Sequence, residues 1–122
     1  MCYTSNSSLL SINFGNNFDT SNVTNMACMF QNCIVLPELD LSSFDTSNVT
    51  NMLHMFNGNK TFQSLDLTSF DTRNVHYIGY MFANCSNLKT IYVTNLWSTS
   101  QAITGYKEGI FSNCGTSSVT YV

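Results

Sequence analysis

The chain has 122 residues, a formal net charge of -3 at pH 7 and only 9% charged residues, so Asn, Ser and Thr supply most of its polarity. Its four Lys and Arg residues are too few for a nucleic-acid footprint or an anionic-membrane patch. No apolar run approaches the ~20 residues of a spanning helix, and no signal peptide or anchor is visible, so we expect no membrane insertion.

A nine-residue phrase, FDTSNVTNM, occupies residues 18–26 and returns at 44–52, and an eroded copy, FDTRNVHYI, occupies 70–78. The opening phenylalanines are therefore evenly spaced, and their period falls in the range of about 20–50 residues that is typical of stacked repeats. We divide the single domain, 1–122, into units at about 3–29, 30–55, 56–81 and 82–110, with a terminal partial unit at 111–122. In the loose last copy Leu96 replaces the phenylalanine, and about three residues are inserted before Ile110.

Each unit begins with a short apolar alternation that predicts a strand. In triplets such as Leu39-Asp40-Leu41 and Leu65-Asp66-Leu67, the outer residues face inward and the middle one faces solvent. The following phrase, VTNMxxMF, places apolar residues at i, i+3, i+6 and i+7, which predicts a short helix or helical turns.

Between these elements, Asp and Ser of the DTSN segment predict a turn or helix cap. We expect the acidic column Asp19, Asp45 and Asp71 to accept backbone N–H groups in Asx turns. A 26-residue unit cannot bury its apolar positions alone, so neighbouring units must stack. The pattern predicts an α/β leucine-rich-repeat-like solenoid, with about five short parallel strands on one face and short helices or helical turns on the other.

On these motifs the sequence resembles the BspA-like bacterial surface-protein repeat family, whose unit of the same period reads approximately MFxxCxxLxxLDLSSFDTSNVTNMxxMF. The match is close over 29–56 and 55–82 and continues with wear over most of the chain. The resemblance implies an exported, extracellular or cell-surface solenoid, often with a role in adhesion. It implies no catalytic residues.

The cysteines and histidines are interpreted as structural. Cys33, Cys85 and Cys114 share one repeat position, which Asn59 holds in the second unit, and this pattern favours a column of small buried thiols. A bridge between Cys85 and Cys114, in adjacent units, stays open. No zinc-type ligand spacing occurs, so we predict no metal and no cofactor. His54 and His76 are interpreted as surface substitutions, and no Cys–His pair is indicated, so we predict that the protein is not an enzyme.

The candidate binding surface is the solvent-facing strand column, which consists of Asn13, Asp40, Asp66, Tyr92 and Thr120. Strand faces of repeat proteins are extended partner-binding surfaces, so this column predicts a noncatalytic interaction module for a protein or glycan partner. A strand face that is merely solvated is the competing interpretation.

The alternative function is structural, with assembly or self-association through uncapped solenoid ends. The first turn carries Tyr3, Leu9, Leu10, Ile12 and Phe14, and the last carries Ile110, Phe111, Val119, Tyr121 and Val122, without polar caps. A competing interpretation is that the irregular segment 97–109 folds over the C-terminal end as a cap.

Overall fold

A computed structural model describes residues 8–122, so the start of the first predicted unit, residues 3–7, lies outside the described residues. Three short strands form one parallel sheet in the order β1-β2-β3. They are β1 (Ser64–Asp66), β2 (Thr90–Val93) and β3 (Thr120–Tyr121). Within the described residues the chain forms no helix, so no helix there is long and apolar enough to cross a membrane.

The predicted α/β solenoid is therefore wrong. Residues 8–122 contain three strands instead of about five, and turns replace the helices that were expected on the opposite face. Two isolated parallel bridges, Asn25 with Asn51 and Asn51 with Tyr77, extend the pairing beyond the sheet. Pro37, which lies two residues before the predicted strand triplet Leu39-Asp40-Leu41, lacks the N–H that a ladder needs, and this triplet is not a strand.

Left-handed residues explain the missing helices. Cys28, His54 and Tyr80 occupy one repeat position and have φ angles of 61°, 57° and 57°. A left-handed residue ends a right-handed helix, so the chain makes a short turn at each of these points. The N–H of Met29 donates to the carbonyl of Met26 at 3.3 Å, and Met55 donates to Met52 at 3.2 Å. The prediction that the apolar residues of VTNMxxMF share one buried face was correct, but the prediction that this segment is helical was wrong.

Backbone hydrogen bonds between units replace those that a helix would make internally. The N–H groups of Cys28, Phe30 and Asn32 donate to the carbonyls of Leu53, Met55 and Asn57 at 2.9, 2.9 and 2.8 Å. The next unit repeats the pattern from His54, Phe56 and Gly58 to Gly79, Met81 and Ala83. Every second N–H therefore points to the following unit, and the interval between donor and acceptor is the same in both copies (53 − 28 and 79 − 54).

The third copy of this ladder confirms the predicted insertion. Tyr80, Phe82 and Asn84 donate to Glu108, Ile110 and Ser112 at 3.0, 2.9 and 2.8 Å. Donor and acceptor are three positions further apart than in the earlier copies (108 − 80 against 79 − 54). The extra residues thus lie before Ile110, where the sequence placed them.

Two columns of phenylalanine rings form the centre of the core. Phe30, Phe56, Phe82 and Phe111 stack with successive centroid distances of 5.8, 5.7 and 5.8 Å and nearly parallel planes. Phe18, Phe44 and Phe70 form the second column, at 5.3 and 6.3 Å. Burying each ring contributes about 1.5–3 kcal/mol, so each unit is stabilised mainly by its contact with the next.

Trp97, and not Leu96, continues the second column. The N–H of Trp97 donates to Thr94 at 3.1 Å, as Phe44 and Phe70 donate to the residues three positions before them. Trp97 is also buried, whereas Leu96 is only partly so. The assignment of Leu96 to the phenylalanine position was wrong, because one residue is inserted between the strand and this turn.

The segment 97–109 does not fold over the end as a cap; it continues the repeat. Ala102 donates to Thr99 at 3.0 Å, as Val75 donates to Thr72, and Ile103 donates to His76 at 2.8 Å. The segment is therefore a stacked unit with extra turn residues.

A column of buried threonines joins the units. Thr20, Thr46 and Thr72 are 3%, 1% and 0% exposed. The hydroxyl of Thr46 donates to the carbonyl of Asp71 at 3.0 Å and accepts the N–H of the same residue at 2.8 Å. Thr20 and Thr72 make the equivalent pairs with Asp45 and Ser98. One hydroxyl thus satisfies a donor and an acceptor of the neighbouring unit.

Replacing Thr46 with valine tests this column. Thr46→Val keeps the shape of the side chain but leaves both backbone groups of Asp71 without their partner, so we expect a loss of about 1–3 kcal/mol in the free energy of unfolding. Urea denaturation followed by circular dichroism measures the loss. Thr24→Val is the matched control, because Thr24 is exposed and its hydroxyl makes no hydrogen bond within residues 8–122. Equal stability of the two variants would contradict the assigned role.

Candidate functional site

The sheet places three of the five predicted surface residues side by side. Asp66 pairs with Tyr92, and Tyr92 pairs with Thr120, across the three parallel strands. All three side chains are exposed, and Tyr92 is 38% accessible. The flanking residues Leu65, Leu67, Ile91 and Val93 are buried, as the alternation predicted. We call this row, together with Asp40, the outer sheet face.

Asp40 lies next to this row although it is not in a strand. It lines one shallow groove together with Asp66 and Thr68, and the two carboxylates are close enough to repel each other. Asn13 is exposed and also lies outside the strands, and within residues 8–122 it makes no hydrogen bond to the other four residues. The structure therefore brings four of the five predicted residues together, and Asn13 follows Ile12, which lines a groove with Asp40.

Local turns hold the two carboxylates of the outer sheet face. Asp40 accepts the N–H of Ser42 at 3.0 Å and its hydroxyl at 2.6 Å, and Asp66 accepts the same two groups of Thr68 at 3.0 and 2.6 Å. These hydroxyl and backbone hydrogen bonds lower the pKa of both carboxyl groups below the usual value. Both groups are therefore ionised at neutral pH and held in fixed directions.

The second acidic column forms Asx turns, as predicted. Asp19, Asp45 and Asp71 accept the N–H two residues ahead at 2.9, 3.0 and 3.1 Å. The pKa of each is lowered, mainly by the backbone of Ser21 for Asp19, by the hydroxyl of Ser47 for Asp45, and by the Arg73 side chain for Asp71. These carboxylates stabilise the turn that lies, in each unit, between the strand segment and the segment that makes the inter-unit backbone hydrogen bonds.

Cys33 and Cys85 of the cysteine column are buried, Cys114 is partly exposed, and the three differ in chemical state. Cys85 and Cys114 are free thiols, so no disulfide joins them. The Cys85 thiol donates to the carbonyl of Phe56 at 3.0 Å, and burial raises its pKa to about 12. Cys33 is disulfide-bonded, so the prediction of a thiol there was wrong. A protonated, buried Cys85 has a packing role and is a poor nucleophile.

Asn59 fills the same column with an equivalent hydrogen bond. Its amide nitrogen donates to the carbonyl of Phe30 at 2.9 Å, the repeat counterpart of Phe56, and its oxygen accepts the N–H of Cys33 at 2.8 Å. At two members of the column, Asn59 and Cys85, a small side chain thus donates to the equivalent carbonyl of the preceding unit.

The two histidines are partly buried and lie in different environments. The His54 ring stacks on Tyr80 at 5.2 Å, and its Nδ1 lies 2.8 Å from the amide nitrogen of Asn57. Nδ1 of His76 lies 3.0 Å from the carbonyl oxygen of Gln101. Among residues 8–122, no group of three or more His, Cys, Asp or Glu side chains is placed to hold a metal ion.

Sequence reasoning missed an aromatic patch beside His54. Tyr80 and Tyr106 are 43% and 48% exposed, and Tyr106 packs edge-on against Tyr77 at 5.0 Å. The signal was present, because Tyr80 occupies the repeat position of His54. The contact of Tyr106 with Tyr77, however, could not be read from the repeat, because the three-residue insertion shifts Tyr106 out of register.

Comparison with known protein families identifies the family of this chain. A family described as "Mycoplasma protein of unknown function, DUF285" matches residues 2–120. The chain belongs to this family. No curated protein and no solved structure matches it. Membership in DUF285 brings no assigned activity, so a function has to be argued from the site itself.

The lowered carboxyl pKa values predict acid sensitivity. An Asp has a pKa of about 3.9 in the unfolded chain, and the five turn carboxyls have lower values when folded, so their stabilisation is complete above that pH. It is lost as the pH falls through the folded values. We therefore expect the free energy of unfolding to fall below about pH 4.

A five-site asparagine variant supplies the control. Asparagine preserves the Asx turn but does not titrate. Replacing Asp19, Asp40, Asp45, Asp66 and Asp71 with asparagine should therefore reduce the fall in the free energy of unfolding at acid pH. Urea titrations at a series of pH values measure both proteins. Parallel curves for the variant and the wild-type chain would contradict the assignment.

Proposed function

We propose that the protein is a noncatalytic interaction module that binds a protein or glycan partner through the outer sheet face. The observation that carries the proposal is the in-register row of Asp66, Tyr92 and Thr120, with Asp40 alongside. A parallel sheet whose other face is buried in the core offers these side chains a rigid platform, so little ordering cost accompanies binding.

The chemistry of the face defines the partner class. Two ionised carboxylates, fixed by their own turns, accept hydrogen bonds from ammonium, guanidinium or hydroxyl groups. The exposed Tyr92 ring adds an apolar surface with a polar tip, which is typical of binding residues. A basic segment of a protein, or a hydroxyl-rich glycan, complements this combination. An anionic polymer such as nucleic acid does not.

The resemblance to BspA-like repeats supports a location for this activity. We propose that the module is extracellular or displayed at a cell surface and contributes to adhesion. The low content of charged residues and the abundance of Asn, Ser and Thr are consistent with this proposal.

A binding experiment with matched variants tests the outer sheet face. The probes are an array of immobilised glycans and a panel of lysine- and arginine-rich peptides. The test variant combines Asp40→Asn, Asp66→Asn and Tyr92→Thr, which preserve the Asx turns and the strand. We expect it to weaken binding of every retained probe by at least about tenfold, because a small set of residues carries most binding energy.

The control variant removes the same side-chain types elsewhere, with Asp19→Asn, Asp45→Asn and Tyr106→Thr. It should bind as the wild-type chain does. Equal affinity of the test variant would remove the outer sheet face as the binding surface, and binding of none of the probes would contradict the proposed partner classes.

A further inference from the structure

The N-terminal end of the stack exposes residues that are core residues in every later unit. Phe18, Val23 and Met29 are partly exposed, and they line a concave surface to which, among residues 8–122, residues 18–29 contribute. Their repeat counterparts Phe44, Val49 and Met55 are 3%, 0% and 0% exposed. In the later units, the preceding unit of the stack covers these positions.

The C-terminal end shows the same feature on its opposite side. Phe111 is partly exposed whereas its counterpart Phe82 is fully buried. Tyr121 pairs with the buried Val93 yet is 60% exposed. The core columns thus continue to both ends of the stack.

The backbone groups at the two ends are complementary. At the N-terminal end, the carbonyls of Ala27, Met29 and Gln31 accept no hydrogen bond within residues 8–122. They occupy the repeat positions of the acceptors Leu53, Met55 and Asn57. At the C-terminal end, the N–H groups of Gly109, Phe111 and Asn113 have no acceptor among the described residues, and they occupy the positions of the donors Tyr80, Phe82 and Asn84.

The threonine column adds a second complementary pair. Thr99 follows Trp97 and Ser98 as Thr72 follows Phe70 and Asp71. Its hydroxyl makes no hydrogen bond within residues 8–122. At the other end, the backbone N–H and carbonyl of Asp19 are unpaired among the described residues, although those of Asp45 are both bonded to Thr20.

We propose that the C-terminal end of one copy binds the N-terminal end of a second copy, head to tail, in the register of one further repeat. Gly109, Phe111 and Asn113 then donate to Ala27, Met29 and Gln31, the Phe111 ring stacks on Phe30, and Thr99 bridges the backbone of Asp19. Association of like ends would oppose carbonyl with carbonyl or N–H with N–H, so the ladder selects the heterologous contact. The contact repeats the step between units and therefore builds an open stack. The inference concerns the ends of the stack and stands apart from the proposed function of the outer sheet face.

Two variants, each with one blocked end, test the proposal with the 122-residue chain. Met29→Glu places a charge on the N-terminal end, and Tyr121→Glu places one on the C-terminal end. Sedimentation velocity should show a wild-type mass that grows with protein concentration, whereas each variant alone stays monomeric. An equimolar mixture should form a dimer, because the intact C-terminal end of the Met29→Glu chain can bind the intact N-terminal end of the Tyr121→Glu chain. The dimer should not grow further, because both of its outer ends carry a blocking charge.

A milder variant keeps the test informative if either charged variant fails to unfold cooperatively on heating. Thr99→Val removes only the hydroxyl and should weaken association by at least about tenfold. Thr104→Val, another exposed threonine, should leave it unchanged. A wild-type chain that is monomeric at every concentration would overturn the proposal. So would dimerisation of either blocked variant alone, or a mixture that stays monomeric while the wild-type chain associates.

Discussion

In the turns of each unit, every second backbone N–H donates a hydrogen bond to the following unit, and the rest of the structure depends on these bonds. A buried peptide group needs a hydrogen-bond partner, and in this chain the partner of Cys28, Phe30 or Asn32 lies in the next unit of the repeat. A single unit therefore cannot satisfy its own backbone, since its internal bonds are limited to short turns. Each unit takes its conformation from its neighbours, and its stability comes from the contact between units.

The side chains of the repeat serve the same contact. Phenylalanine rings stack from unit to unit, buried threonines bridge the backbone of the next unit, and Asn59 and Cys85 each donate to an equivalent carbonyl. The residues that recur in the phrase FDTSNVTNM are thus selected by what lies above and below them. The positions between them, such as Asp66 and Tyr92 on the outer sheet face, are free of this constraint and are the positions at which a binding surface can vary.

The sequence predicted what depends on period and burial. The regular repeat, the buried phenylalanines and the Asx turns at Asp19, Asp45 and Asp71 follow from spacing and turn chemistry. The helices were predicted wrongly because Cys28, His54 and Tyr80 adopt left-handed conformations that glycine usually signals, and none of these residues is glycine. The burial of Thr20 and the substitution of Trp97 for the phenylalanine depend on contacts between units. Of the five predicted surface residues, the row from Asp66 to Thr120 was predictable from alternation, whereas the absence of a strand at Asn13 and Asp40 was not.

Hydrogen exchange of individual amides in the dilute chain tests the inter-unit ladder most directly. We expect slow exchange at Phe30, Phe56 and Phe82, whose N–H groups donate to the next unit, and fast exchange at the equivalent Phe111, whose N–H has no acceptor among the described residues. Fast exchange at Phe56 and Phe82, or protection of Phe111 equal to theirs, would contradict a fold held together by bonds between successive units.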